Sequence, residues 1–239
     1  MPSPLYFGPA AREADPHLAT KTALLDAAER LFAMQGIEGA SVRDITRAAN
    51  ANLGAINYHF GSKDRLALEV FARRLAPMNR DRVARLDALE KAAGKNRVKV
   101  EQIVDALVRP AVENVETRQG HEAAFLRLMN RCFQEPNAEL KAFVEEQFAE
   151  VCERFDAAIL RAMPDLPPGE LFWRLNFLIG ALHHGLEMWL RFDNLPCPKK
   201  KVPPMPLDRE GLIQRVVAFV SAGLTAAVTA PAMAGNGTH

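Results

Sequence analysis

Residues 41–63 constrain the fold of this chain more than any other segment. Ser41 can cap a short helix, a tight turn follows, and a second short helix is expected over about residues 53–60 before Gly61 ends it. That second helix carries a glycine, an alanine, an asparagine, a tyrosine and a histidine where a structural helix would carry leucine. Small residues let a helix approach a surface closely, and polar tips can then contact phosphates and base edges. The pattern predicts a helix-turn-helix unit that reads DNA.

Apolar residues recur at three- and four-residue steps from Thr20 to about residue 229, and no run alternates as a strand does. Pro77 should kink or break the long helix that starts near Lys63. The later helices are predicted over 97–117, 121–134, 138–163, 171–192 and 208–229. The sequence therefore predicts an all-α protein, in which a small N-terminal three-helix domain precedes a larger C-terminal helical bundle.

The ends of the chain lack this helical pattern. Residues 1–19 contain several prolines and no apolar period, so flexible tails are predicted for 1–19 and for 232–239. Between them we expect a DNA-binding domain over 20–66 and the larger helical domain over 67–231.

The charge balance limits how this chain can bind nucleic acid. It has 30 Lys and Arg against 29 Asp and Glu, which gives no general attraction to DNA. Affinity must come from where the charges lie and from the pairing of two copies.

Cysteine usage and the chemical motifs narrow the class of protein further. Three widely spaced cysteines fit free thiols in the cytoplasm better than a disulfide framework, and neither a signal peptide nor a membrane span is expected. The chain shows no nucleophile elbow, no phosphate-binding glycine loop and no complete metal ligand set, so we expect no enzyme, cofactor or metal.

A longer string of residues closely resembles the N-terminal domain of TetR-type transcriptional regulators. It comprises a helix that ends at Gly36, Ser-Val-Arg-Asp-Ile at 41–45, Tyr-His-Phe at 58–60, and Lys63 with Leu66. The motif resemblance covers residues 20–70, and the order of helices extends it to the whole chain. In the turn the family usually has Ala-Gly-Val, whereas this chain has Ala-Asn-Ala at 49–51. Asparagine is the residue after glycine best able to hold a left-handed backbone, so the turn should survive.

The resemblance implies which residues contact DNA. The implied base contacts are Arg43, Asn52, Ala55 and Asn57, and the implied phosphate contacts are Ser41, Tyr58, His59 and Lys63. Gly54 and Leu53 complete this face, although Leu53 stands where many relatives have a polar residue, which leaves base contact or packing open. Two alternatives remain: Asn57 is simply solvated or bonded within its helix, or Tyr58 and His59 pack internally in a corner that does not bind DNA.

The helices over 171–192 and 208–229 are apolar around more than one face, so one face can meet a partner. TetR-type proteins use their last two long helices in a four-helix dimer bundle, and the resemblance therefore implies a homodimer through these two segments. The alternative is that both are internal core helices.

The resemblance also implies that the larger domain binds a small, mainly apolar effector. The candidate lining residues, each of which could equally be plain core, are Phe125, Met129, Phe133, Phe148, Phe155, Trp173, Asn176, Phe177 and His183. A polar stripe along 171–192, made by Asn176, Gly180, His183 and Glu187, lines that cavity, pairs across a dimer, or reaches solvent.

These patterns favour a ligand-responsive, homodimeric transcriptional repressor that an effector releases from a palindromic double-stranded DNA operator. One alternative is an architectural or ligand-independent regulator whose bundle is packed solid. Another is a metal-dependent enzyme that uses His183, His184 and Glu187, whose helical spacing suits metal ligands but leaves the set incomplete.

Overall fold

The computed structural model describes residues 16–115, 124–132, 137–190 and 208–228. Every regular element in these ranges is a helix, so the predicted all-α class is confirmed. The helices are α1 (Pro16–Gln35), α2 (Val42–Ala48), α3 (Ala55–Phe60), α4 (Lys63–Ala93), α5 (Val100–Glu113), α6 (Ala124–Cys132), α7 (Ala138–Ala162), α8 (Pro168–Leu190) and α9 (Arg209–Thr225). Phe133, residues 1–15 and residues 232–239, for which predictions were made, lie outside the described residues.

The chain divides into two compact units, Met1–Phe71 and Ala72–His239, with the division inside α4. The functional boundary predicted at residue 66 stays a prediction. Among the described residues, no helix combines the length and apolar character that crossing a membrane requires.

The start of α1 corrects the predicted tail. Residues 16–19 are helical, because proline at the first helical position has its φ angle already set for a helix and has no N–H that a helix would leave unbonded. The hydroxyls of Thr20 and Thr22 donate to the carbonyls of Pro16 and Leu18, which adds bonds within this first segment.

Pro77 does not break α4, which continues through it to Ala93. The ring of Pro77 is exposed, whereas Leu75, Met78 and Leu86 on the same helix are buried. Burial of apolar residues on both sides of the proline stabilises the helix more than the single lost backbone hydrogen bond destabilises it.

The core of the N-terminal unit holds α2 and α3 in place. Its fully buried side chains come from each helix of that unit, namely Leu24, Phe32, Ile45, Ile56, Leu66 and Val70. Ser41 caps α2 as predicted, since its hydroxyl accepts the backbone N–H of Asp44 at 3.1 Å.

Two apolar clusters form the core of the C-terminal unit. One joins α5, α8 and α9 through residues such as Val108, Leu182 and Val216. The other joins α4, α5, α7 and α8 around Phe155 and Ile103. Because α5 contributes to both clusters, it is the central helix of this unit.

Candidate functional site

The turn between α2 and α3 has the backbone that the sequence predicted. Asn50 has a φ of 50°, in the left-handed region, and it is the non-glycine residue with positive φ in the described ranges. The N–H of Ala51 then donates to the carbonyl of Thr46 at 2.9 Å. Asparagine tolerates this conformation better than other side chains, so it replaces the family's usual glycine.

The outward face of α3 is small, polar and aromatic. Asn57 is exposed and 72% of Tyr58 is accessible to solvent, which excludes the alternative that Tyr58 packs internally. Asn52, Leu53 and Gly54 are exposed in the segment before α3. Leu53 is not needed for packing, because Ile56 is the residue that fills the core there.

Ala55 lies on the inner side of α3, so its predicted base contact is wrong for this structure. Ile56 and Phe60 are four residues apart and share one face of the helix, and Ala55 lies beside Ile56 on the buried side. That face is buried, and the methyl group of Ala55 is covered with it.

Lys63 binds the protein itself rather than standing free for phosphate. Its Nζ atom donates to the carbonyl oxygen of Ile37 at 2.9 Å and to that of Ala40 at 3.4 Å. Both carbonyls lie in the loop between α1 and α2. In the unbound protein Lys63 therefore ties this loop to the start of α4, and its contact with phosphate stays a prediction.

Ser41 and Arg43 are both predicted to contact DNA, but only the hydroxyl of Ser41 is already engaged by neighbouring groups in the described part of the protein. Ser41 is exposed, but its Oγ donates to Asp44 Oδ2 at 2.5 Å as well as capping α2. Arg43 is exposed on α2, and Arg47 pairs with Asp44 at 3.2 Å. The face around α2 and α3 thus carries exposed cations without a large excess of charge.

His17 belongs to this face and was missed from the sequence. Its ring centroid lies 5.4 Å from that of Tyr58 and 5.7 Å from that of His59. The sequence pattern predicts a flexible tail at position 17. Proline at position 16 was the available signal that a helix already begins there.

The predicted effector residues fall into two groups. Met129 and Phe155 are buried, and Phe125, Phe148 and His183 are half-buried. In contrast, Trp173 and Phe177 are 59% and 68% exposed, and Asn176 is exposed beside them. These three therefore do not face the interior of the described part of the C-terminal unit, and their role in effector binding stays a prediction.

The reason is the periodicity of α8. Its buried positions recur every three or four residues, at Leu171, Arg174, Leu178, Leu182 and Leu186. Trp173, Asn176 and Phe177 occupy the opposite side of that helix. With Phe172 and Ile179 they form an exposed apolar surface on α8, and α9 exposes Phe219.

The polar stripe of α8 does not keep one environment along its length. Asn176 and Gly180 are exposed, whereas His183 and Glu187 are half-buried. His184 is exposed, and no three His, Cys, Asp or Glu residues in the described ranges are grouped so that they could hold a metal ion.

A buried polar cluster in the C-terminal unit was also missed from the sequence. Arg82 of α4 donates from Nε to the carbonyl of Leu107 and from Nη1 to Asn79 Oδ1, both at 2.9 Å. Its guanidinium lies 5.8 Å from the ring centroid of Phe148. Burial lowers the pKa of Arg82 to about 10, and burial together with the charge of Arg82 lowers the pKa of His183. An arginine in a helix pattern gives no sequence signal that it faces inward.

Two family models match this chain. Residues 24–70 match the model described as bacterial regulatory proteins, tetR family, and residues 105–223 match the one described as tetracyclin repressor-like, C-terminal domain. The chain belongs to the TetR family. This family consists of DNA-binding regulators, so the protein is a TetR-family transcriptional regulator with a helix-turn-helix domain over α2 and α3.

Individual relatives agree with this assignment. A segment of 54 residues is 41% identical to the HTH-type transcriptional repressor AcnR of Corynebacterium efficiens, and it spans 23% of this chain and 29% of that protein. The fatty acid degradation regulator FadR from Bacillus halodurans has a similar structure, with a TM-score of 0.59 at 16% identity over 90% of this chain and 99% of that one. FadR from Bacillus subtilis, solved in complex with stearoyl-CoA, has a TM-score of 0.57 at 13% identity, over 84% of this chain and 98% of that one. At such identities the structural likeness shows the TetR fold alone.

Proposed function

We propose that this TetR-family regulator is a homodimeric repressor, which a small and mainly apolar effector releases from a palindromic operator. The outward face of α3 is the observation that supports the DNA-binding part of this proposal. Asn57 and Tyr58 are exposed there next to Asn52 and Gly54, while Ile56 and Phe60 hold the helix in the core. Such a helix can enter a major groove and present side chains to base edges.

The exposed apolar surface of α8 and α9 supports a dimer. Phe172, Trp173, Phe177, Ile179 and Phe219 are large apolar side chains left open to solvent in the single chain. Phe172, Trp173 and Phe177 contact one another through their rings, and an exposed apolar patch commonly marks a protein–protein contact. A pair of recognition helices about 34–36 Å apart would read successive turns of the major groove, and it would compensate for the net charge of only +1.

The relatives support the repressor and effector parts of the proposal. AcnR is described as a repressor, and FadR of Bacillus subtilis was solved with stearoyl-CoA. We infer that the effector binds in the C-terminal unit of this chain, among its half-buried residues Phe125, Phe148 and His183. The effector must prefer the conformation that does not fit DNA, and DNA must then weaken effector binding by the same factor.

Selection of bound DNA from a random pool by the full-length protein tests the proposal. We expect enrichment of a palindromic site, and metabolite extract added to the binding reaction should release part of the bound DNA. Absence of any enriched palindrome would overturn the proposal. An enriched site that no extract releases would favour the ligand-independent regulator.

A variant of α3 sharpens this experiment. Asn57→Ala should change the enriched bases at one position of each half-site, with a cost of about 1–3 kcal/mol at that position, because Asn57 is exposed on the recognition helix. Asn96→Ala, an exposed change in the C-terminal unit, serves as the control and should leave the enriched site unchanged. An equal loss on all sequences would rule out base recognition by Asn57.

A further inference from the structure

Arg82 is a buried cation whose contacts in the described part of the chain are all neutral. Only 5% of it is accessible to solvent. Its partners are the carbonyl of Leu107, the amide oxygen of Asn79 and the ring of Phe148. These hydrogen bonds use Nε and Nη1, and Nη2 makes no hydrogen bond to a described residue. A guanidinium has five N–H donors, so these two hydrogen bonds leave three N–H groups that no described residue accepts.

The other buried arginine of the described chain shows how unusual this is. Arg174 is 9% accessible, and its Nε pairs with Glu170 Oε2 at 3.2 Å. A buried charge without a counter-charge is costly, because neutral acceptors replace only part of the lost hydration. Arg82 keeps its charge in this position, although burial lowers its pKa to about 10. The free-energy cost of burying this charge is offset when the cation binds an anion.

The surroundings of Arg82 combine apolar surface with polar groups. Phe148 of α7 and Leu107 of α5 supply apolar surface, and Asn79 and His183 supply polar groups. The amide of Asn79 is itself held, since its Nδ2 donates to the carbonyl of Gln147 at 2.6 Å. The thiol of Cys152 interacts electrostatically with Arg82, and burial raises the pKa of that thiol, so it stays protonated at neutral pH. Asp156 interacts with Cys152 and makes no hydrogen bond to Arg82.

We propose that Arg82 binds the carboxylate of the effector, and that the effector is therefore an organic acid with an apolar body. The planar guanidinium matches the two oxygens of a carboxylate, and the single negative charge neutralises the single buried cation. Phosphate carries nearly two negative charges and would leave one of them buried. The apolar body lies against Phe148 and the neighbouring core. This inference rests on the proposed effector response and identifies its chemical class.

The position of Arg82 on α4 connects the acid to the DNA-binding unit. α4 is continuous from Lys63 to Ala93, and its first residues belong to the N-terminal unit. A ligand that neutralises Arg82 therefore acts on a helix that both units share.

Paired probes that differ only in charge test the proposal on the full-length protein. Hexanoate, decanoate, tetradecanoate and benzoate are compared with the corresponding neutral alcohols by calorimetry. At least one acid should bind about tenfold or more tightly than its alcohol, as expected for a charge-assisted hydrogen-bonded pair. In Arg82→Met this preference should vanish, and Arg82→Lys, which keeps the charge without the fork, should be intermediate.

Arg85→Met is the matched control on the same helix, because Arg85 is already paired with Asp81 and Glu113. It should keep the preference for the acid. Arg82→Gln gives the same readout if the methionine variant does not fold. Absence of any preference for acids in the natural protein, or its persistence without Arg82, would overturn the proposal.

Release of the operator is measured in parallel, so that failure of the carboxylate site can be distinguished from failure of the proposed function. If acids bind through Arg82 while the operator stays bound, the carboxylate site stands and effector-driven release fails. If the protein binds no operator, the proposed function fails, and calorimetry still decides the role of Arg82.

Discussion

Lys63 shows how a basic residue beside a recognition helix can serve the fold. Its ammonium holds the carbonyls of Ile37 and Ala40, which lie outside any helix. Loss of this donor would remove both of these charge-assisted hydrogen bonds. The position that the family resemblance associates with phosphate therefore contributes to the stability of the DNA-binding unit.

Lys63→Met should lower the free energy of unfolding by about 1–3 kcal/mol, because it removes a charged donor to two carbonyls. Urea denaturation measures this loss. Lys91→Met, on an exposed position of the same helix, is the control and should change stability by less than about 0.5 kcal/mol. If Lys63→Met left stability unchanged and flattened the salt dependence of DNA binding by about one unit, Lys63 would be a phosphate contact after all.

His183 makes stability depend on pH. Burial and, secondarily, the charge of Arg82 lower its pKa below the ordinary value of 6.5, so the unfolded state takes up the proton first as pH falls. The stabilisation from neutral His183 is complete above pH 6.5 and is lost as pH falls toward the lowered pKa of the folded state.

Urea denaturation on both sides of pH 6.5 should therefore show a smaller acid-side loss of stability in His183→Asn than in the natural protein. His184→Asn changes the exposed neighbour on α8 and serves as the control. Equal pH dependence in the His183 variant and the natural protein would contradict this account.

At the scale of the elements, α4 shows that packing excludes one of the two outcomes that the sequence predicts at Pro77, namely the break. A proline inside a helix removes one hydrogen bond and crowds the preceding turn, and the sequence therefore predicts a kink or an end at Pro77. The buried residues on both sides, Leu75 and Met78, keep the segment helical through it.

Pro77→Ala should raise the free energy of unfolding by about 1–3 kcal/mol, since alanine restores the N–H donor and the ring is exposed. The gain is measured by urea denaturation. Ala92→Gly, at an exposed position near the end of α4, should destabilise by about 0.5–1 kcal/mol and confirms that the assay detects helix propensity. A loss of stability in Pro77→Ala would mean that the proline geometry is required by the packing.

At the scale of the whole molecule, the exposed aromatic side chains of α8 and α9 bear on the proposed homodimer. Trp173 and Phe177 were predicted inside an effector cavity, but they face away from the interior. Their exposure agrees better with the contact between two copies that the sequence predicts for these same helices. The exposure of Trp173 and Phe177 therefore supports the predicted homodimer.

Phe177→Gln should weaken self-association about tenfold or more, because an aromatic side chain at the centre of an interface commonly contributes about 2 kcal/mol or more. Analytical ultracentrifugation measures this change, and operator affinity should fall with it. Glu145→Gln, exposed on α7, is the control and should leave association unchanged. Unaltered association in Phe177→Gln would show that this surface does not form the dimer contact.

The sequence alone determined the features that depend on near neighbours in the chain. The helical class, the cap at Ser41 and the left-handed Asn50 follow from residue propensities within a few positions. Only the tertiary structure decided the inward position of Ala55, the carbonyl partners of Lys63 and the burial of Arg82. Each of these depends on which distant segment covers a given helix face, and side-chain burial and hydrogen bonding are determined by that contact rather than by spacing along the chain.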